Sequence, residues 1–147
     1  MKAETTITGR NESDTASFAA QCAAAAKNGD IFTLSGPLGA GKSVFCRSFI
    51  QHLSGSDIDV PSPTFTLVQT YETPKGTIWH FDLYRIEDPE EIYEIGWEEA
   101  LSDGILLIEW PERLENHMPS TRKEIIFEDI NGESRNIRLI HHGGGTP

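Results

Sequence analysis

Basic side chains are scarce in this sequence, cysteine is scarcer, and no long apolar run occurs. The 12 Lys and Arg against 23 Asp and Glu leave a formal net charge of -11, the wrong sign for a chain that holds a phosphate backbone through counterion release. Direct binding of nucleic acid by the isolated chain is therefore not expected. An acidic surface suits docking onto a basic patch of another protein, and it equally keeps a domain dissolved, so charge alone does not choose between them. No stretch approaches the ~20 apolar residues that span a bilayer, and no apolar core of a signal peptide follows Met1-Lys2-Ala3-Glu4-Thr5, so a cytoplasmic protein without membrane contact is expected. Cys22 and Cys46 both fall inside helical patterns, without a CxxC pair or a neighbouring histidine in sequence. They read as reduced packing residues and not as a disulfide or a metal site.

What is present suffices for one core. A length of 147 residues and an apolar fraction of 37% predict a single domain over residues 1–140, with 141–147 a tail that has nothing to bury. Thr5 to Thr8 reads as extended, and Phe18, Ala19, Cys22, Ala23 and Ala26 mark one face of a helix that starts near Ser13 and stops at Asn28-Gly29. Ile31 to Leu34 is a β-prone run, and Phe45, Cys46, Phe49, Ile50 and Leu53 mark a second helix from Lys42. Phe65 to Tyr71 and Thr77 to Leu83 predict a hairpin joined at Pro74-Lys75-Gly76. A period of two then puts His80 and Asp82 on one face and Trp79, Phe81 and Leu83 on the other. Glu87 to Asp103 reads as short acidic helices over an apolar underside. Ile105 to Ile108 reads as a strand buried on both faces, ending at Glu109, and Asn131-Gly132 signals a last hairpin. The fold class expected is α/β: a single P-loop domain with a mainly parallel sheet, extended by antiparallel hairpins and flanked by helices.

Gly36-Pro37-Leu38-Gly39-Ala40-Gly41-Lys42-Ser43 satisfies the GxxxxGK[ST] pattern between a predicted strand and a predicted helix. In that context the glycines let main-chain N–H groups curl around phosphates at the positive end of a helix dipole. Lys42 then sets a compact cation between the β and γ groups, and the Ser43 hydroxyl is a ligand for magnesium. A site of this kind also needs a carboxylate for the metal's water shell and a group that orients the attacking water. Asp82 and Glu109 both end predicted strands, where open α/β sheets place their ligands. Spacing does not assign them separate roles. Ser62-Pro63-Thr64-Phe65 follows a polar connection and is a candidate switch segment, with Thr64 supplying a hydroxyl, although such turns are also ordinary connectors.

Four motifs in order, namely Gly36 to Ser43, Ser62-Pro63-Thr64-Phe65, His80-Phe81-Asp82-Leu83-Tyr84-Arg85 and Ile108-Glu109-Trp110-Pro111-Glu112-Arg113, resemble the TsaE family, also called YjeE, over about residues 5–140. The resemblance implies a P-loop ATPase that uses ATP and Mg2+ and is needed for the N6-threonylcarbamoyladenosine modification of tRNA. It implies TsaD and TsaB as protein partners, with tRNA met only through the complex. It further implies that Lys42 and Ser43 bind phosphate and magnesium, that Thr64 belongs to the switch-like segment, and that Asp82 and Glu109 lie near the metal and the γ-phosphate. Trp110 matches the aromatic that follows the acid. Ser43 stands where many members have Thr, and Pro37 where an acidic residue is frequent. Two other readings share the loop: a small-molecule kinase, for which the arginines are few and scattered, and a nucleotide-gated adaptor with negligible turnover. An NKxD guanine reader is absent, which disfavours GTP.

Overall fold

The computed structural model describes residues 3–9, 12–37, 41–55, 58–61, 63, 66–129 and 135–143. Among the described residues seven strands form one sheet in the order β1-β7-β6-β2-β5-β4-β3, with β1 Ala3–Gly9, β2 Ile31–Ser35, β3 Val68–Thr73, β4 Gly76–Asp82, β5 Ile105–Glu109, β6 Arg122–Asp129 and β7 Arg135–His142. The central strands β6, β2, β5 and β4 run parallel. Antiparallel partners extend both sides: β3 beside β4, and β7 then β1 beyond β6. The α/β architecture with a parallel centre and antiparallel extensions is thus the one expected. Among the described residues no helix is long and apolar enough to cross a membrane.

The unbroken apolar run of β5 is buried at every position, as a central strand covered on both faces requires. One face packs Ile78, Ile105 and Leu107 under α1 (Glu12–Ala25) and α2 (Lys42–Ser54), around Phe18, Phe45 and Phe49. The other packs Phe81, Leu106 and Ile108 against Ile92, Trp97 and Leu114. Those last three come from a 3-10 helix at Pro89–Ile95, from α3 (Trp97–Ser102) and from a 3-10 helix at Pro111–His117. Asp88 starts the acidic stretch with a capping box closed by Glu91. Because neighbouring residues of a strand alternate between faces, Ile78 on one face and Trp79 and Phe81 on the other send His80 and Asp82 toward α2. Glu109 follows the parity of Ile105 and Leu107 to the same side.

Two features depart from the sequence reading. β7 runs through His142, past residue 140, because His141 and His142 find ladder partners in Lys123 and Arg122 of β6. His142 also closes on Glu124, Nε2 to Oε1 at 2.6 Å. The strands of the first hairpin are Val68–Thr73 and Gly76–Asp82, while Phe65, where the first was expected to begin, lies outside the described residues. So do the Asn131-Gly132 turn and residues 144–147.

The end of α1 is held by a residue from the hairpin turn. The helix has no basic side chain in its last turn, yet Lys75 Nζ donates to the carbonyls of Ala23, Ala24 and Ala26 at 3.1, 2.6 and 2.8 Å. An ammonium there satisfies orphan carbonyls and sits at the negative end of the dipole. Replacing it (Lys75→Ala) is expected to lower unfolding free energy by about 1–2 kcal/mol, measured by urea denaturation. An unchanged midpoint would remove Lys75 from the list of residues that hold α1 to the hairpin.

Candidate functional site

β2 delivers the chain to Gly36, whose φ of 143° belongs to glycine; a Cβ there would lie 2.6 Å from the Phe127 carbonyl oxygen. The chain re-enters described structure at Gly41, the N-cap of α2, with φ 112° and no side chain to close the helix end. Its first turn contains no acidic residue. The N–H groups of a 13-residue helix are thereby left for an external anion, supported by the dipole. Leu38, Gly39 and Ala40, like Thr64, lie outside the described residues, and Pro37 is exposed.

Lys42 opens α2 and is only 5% exposed. Its Nζ donates to the Gly36 carbonyl at 2.7 Å and lies 3.9 Å from the centre of the Trp110 ring. Burial pushes its pKa down, opposed by the negative charges of Glu109, Glu112 and Asp82 in that order. Ser43, the next residue, is exposed.

Asp82 and Glu109 are register partners at the carboxyl ends of adjacent parallel strands, 4% and 5% exposed. The sequence placed each at a strand tip, and the sheet brings the two tips side by side beneath the start of α2. Asp82 Oδ1 accepts from the Tyr84 amide at 3.1 Å. Glu109 Oε2 lies 2.7 Å from His80 Nε2, and both side chains are buried.

Trp110 follows directly with φ 59°, a left-handed conformation that turns its ring back across the strand ends. The ring meets Tyr84 at 4.9 Å between centroids and covers the Lys42 ammonium.

The sequence reading assigned Cys46 to packing and gave His80 no role in the site. Cys46 is fully buried, yet its sulfur lies with the His80 ring nitrogen and a Glu109 oxygen in a cluster whose atoms are all within 4.8 Å of one another. Burial first, then the nearby Glu109 and Asp82 charges, raise its thiol pKa well above the usual range. The signals were present but dispersed: His80 shares a strand face with Asp82, and Cys46 sits one helical turn after Lys42.

A glycine bend leading into an uncapped helix, a lysine on its first turn and two acids at neighbouring strand tips define a P-loop nucleotide-binding protein. Comparison with known proteins agrees. Residues 9–137 match the model of the family described as threonylcarbamoyl adenosine biosynthesis protein TsaE. The tRNA threonylcarbamoyladenosine biosynthesis protein TsaE of Rickettsia felis is 44% identical over 130 residues, 88% of this chain and 76% of that protein. Its namesake from Bacillus subtilis is 37% identical over 134 residues, 90% and 83% of the two chains. The crystal structure of Bacillus subtilis YdiB superposes with a TM-score of 0.80 at 29% identity, covering 97% of this chain and 88% of that one. The chain belongs to the TsaE family, the family the four motifs resembled.

Replacing Lys42 by methionine keeps most of the buried stem and removes the charge. MgATP affinity is expected to fall by at least ~10-fold, the loss of a charge-assisted hydrogen bond of about 1.5–3 kcal/mol. The melting temperature is expected to fall as well, because removing the ammonium leaves the buried Glu109 and Asp82 carboxylates without their counter-charge. Calorimetric titration reads the first and a thermal melt the second; an unchanged Kd would contradict the assignment of Lys42 to phosphate.

Proposed function

We propose that the chain binds ATP with magnesium at Gly36 to Ser43 and hydrolyses it to ADP and phosphate. We infer further that it does so in the cytoplasm as a subunit acting with TsaD and TsaB in tRNA threonylcarbamoyladenosine formation, meeting tRNA only through that complex. The observation that carries the hydrolytic reading is the pairing of Asp82 with Glu109 across β4 and β5, on the side of the sheet that faces Lys42. The donor set fits the proposed ligands: main-chain N–H groups and an ammonium for phosphate, a hydroxyl and a carboxylate for a hard divalent cation.

In this mechanism the amides around Gly36 and Gly41 cradle the phosphates, and Lys42 exchanges the Gly36 carbonyl for phosphate oxygens. Ser43 and Asp82 would hold magnesium, which when bound would supply charge neutralisation for the transferring group. Glu109 orients the attacking water and receives its proton, and Thr64 belongs to the segment that responds to the γ-phosphate. The contacts of Lys42 with Gly36 and Trp110 support slow turnover by the chain alone, since both are given up before the ammonium reaches a ligand. The net charge of -11 supports action on tRNA through partners.

The test is release of inorganic phosphate by the wild type and by Glu109→Ala, each alone and with TsaD, TsaB and tRNA. The wild type is expected to turn over faster in the complex, and the substitution to lower kcat by about 100-fold or more while MgATP still binds. Equal rates for the two proteins would exclude Glu109 from the chemistry. Binding without turnover under every condition would leave a nucleotide-gated adaptor, and phosphate delivered to a metabolite would mark a kinase.

A further inference from the structure

Glu109 is buried, and a buried carboxylate takes up a defined orientation only if donors fix it. Its Oε2 lies 2.7 Å from His80 Nε2. A carboxylate can only accept here, so the imidazole proton must be on Nε2. The other ring nitrogen, Nδ1, is buried and has no partner among the described residues. A proton on Nδ1 would be an orphan donor in the core, whereas a bare lone pair is the cheaper group to leave unmet. Both nitrogens therefore point to the same tautomer. His80 is itself fixed by its strand, with ladder neighbours on both sides at Gln69 and Leu107. The Cys46 sulfur lies within 4.8 Å of both the His80 nitrogen and the Glu109 oxygen and completes the buried cluster.

A metal ion would be the other reason to gather a thiol, an imidazole and a carboxylate in one place. The geometry speaks against it. Two ligand atoms about 2.0–2.1 Å from a tetrahedral zinc ion lie roughly 3.3 Å apart, and the 2.7 Å between Nε2 and Oε2 is the length of a hydrogen bond.

We propose that His80 is a positioning residue: its Nε2–H holds one oxygen of Glu109 against β4 and so leaves the remaining lone pairs of the carboxylate aimed for the attacking water. This deepens, and rests on, the hydrolytic reading of Glu109. His80 touches neither nucleotide nor water in this scheme. Its removal lets the carboxylate turn, which slows the chemical step without altering how phosphate is held.

Three variants in the full-length chain, assayed with TsaD, TsaB and tRNA, test this. His80→Phe removes the donor and is expected to lower kcat by about 10- to 100-fold, with KM and the MgADP Kd nearly unchanged. His80→Gln presents an amide N–H where Nε2 stood and is expected to recover most of the rate. In a Glu109→Gln background His80→Phe is expected to cost nothing further, because residues that act as a unit are not additive. Should His80→Phe fail to fold, nitrogen NMR of the wild-type imidazole decides by itself, with the proton expected on Nε2. A proton on Nδ1, an unchanged kcat in folded His80→Phe, a full second loss in the Glu109→Gln background, or stoichiometric zinc in the purified protein each overturns the proposal. A wild type that releases no phosphate but carries the Nε2 proton overturns the hydrolytic reading alone and leaves the His80 to Glu109 contact standing.

Discussion

One ammonium and two carboxylates, all nearly excluded from water, meet at the carboxyl end of a parallel sheet. Isolated charges so placed would each cost several kcal/mol. Lys42, Asp82 and Glu109 are tolerable because they lie close enough to offset one another, and because each also has a hydrogen-bond or ring partner. The arrangement is incomplete in a specific sense. The helix above it starts at a glycine cap with no acidic residue in its first turn, so a polyanion on that side would meet N–H groups and the Lys42 ammonium together. A magnesium ion would then balance the two acids.

The rest of the fold follows from holding these groups in register. β5 must be buried on both faces to carry Glu109 to the centre of the sheet, and its five residues are buried throughout. β4 must pair with it in parallel so that Asp82 stands opposite Glu109, and α2 must pack across Phe45, Phe49 and Ile50 so that its first turn lies above the strand tips. The acidic stretch from Glu87 to Asp103 covers the opposite face, where Ile92, Trp97 and Ala100 complete the second core. The acidic stretch and the buried Lys42, Asp82 and Glu109 charges thus lie on different sides of one sheet.

Much of this was legible because it is local. The phosphate loop is a contiguous pattern, the parity of β4 separates His80 and Asp82 from Trp79 and Phe81 by counting, and the apolar run of β5 announces a central strand. What was not legible is pairing between distant segments. Nothing in the sequence says that β1 joins the far edge through β7, or that Lys75 closes α1 from the next hairpin. Cys46, His80 and Glu109 are 34 and 29 residues apart in turn, from the difference of their numbers, and each has an ordinary reading in isolation. The contact between Lys42 and Trp110 required the left-handed turn at Trp110, which no pattern of residue types predicts. His141 and His142 looked like a tail because their partners lie across a strand and not beside them in sequence.

The most direct test of the central claim is a crystal structure with magnesium and a nonhydrolysable ATP analogue. Lys42 Nζ should then have left the Gly36 carbonyl for the β and γ phosphate oxygens, with the Ser43 hydroxyl on the metal and Asp82 and Glu109 facing the terminal phosphate. A nucleotide seated elsewhere on the sheet, or a Lys42 still bound to Gly36 with the analogue in place, would contradict it.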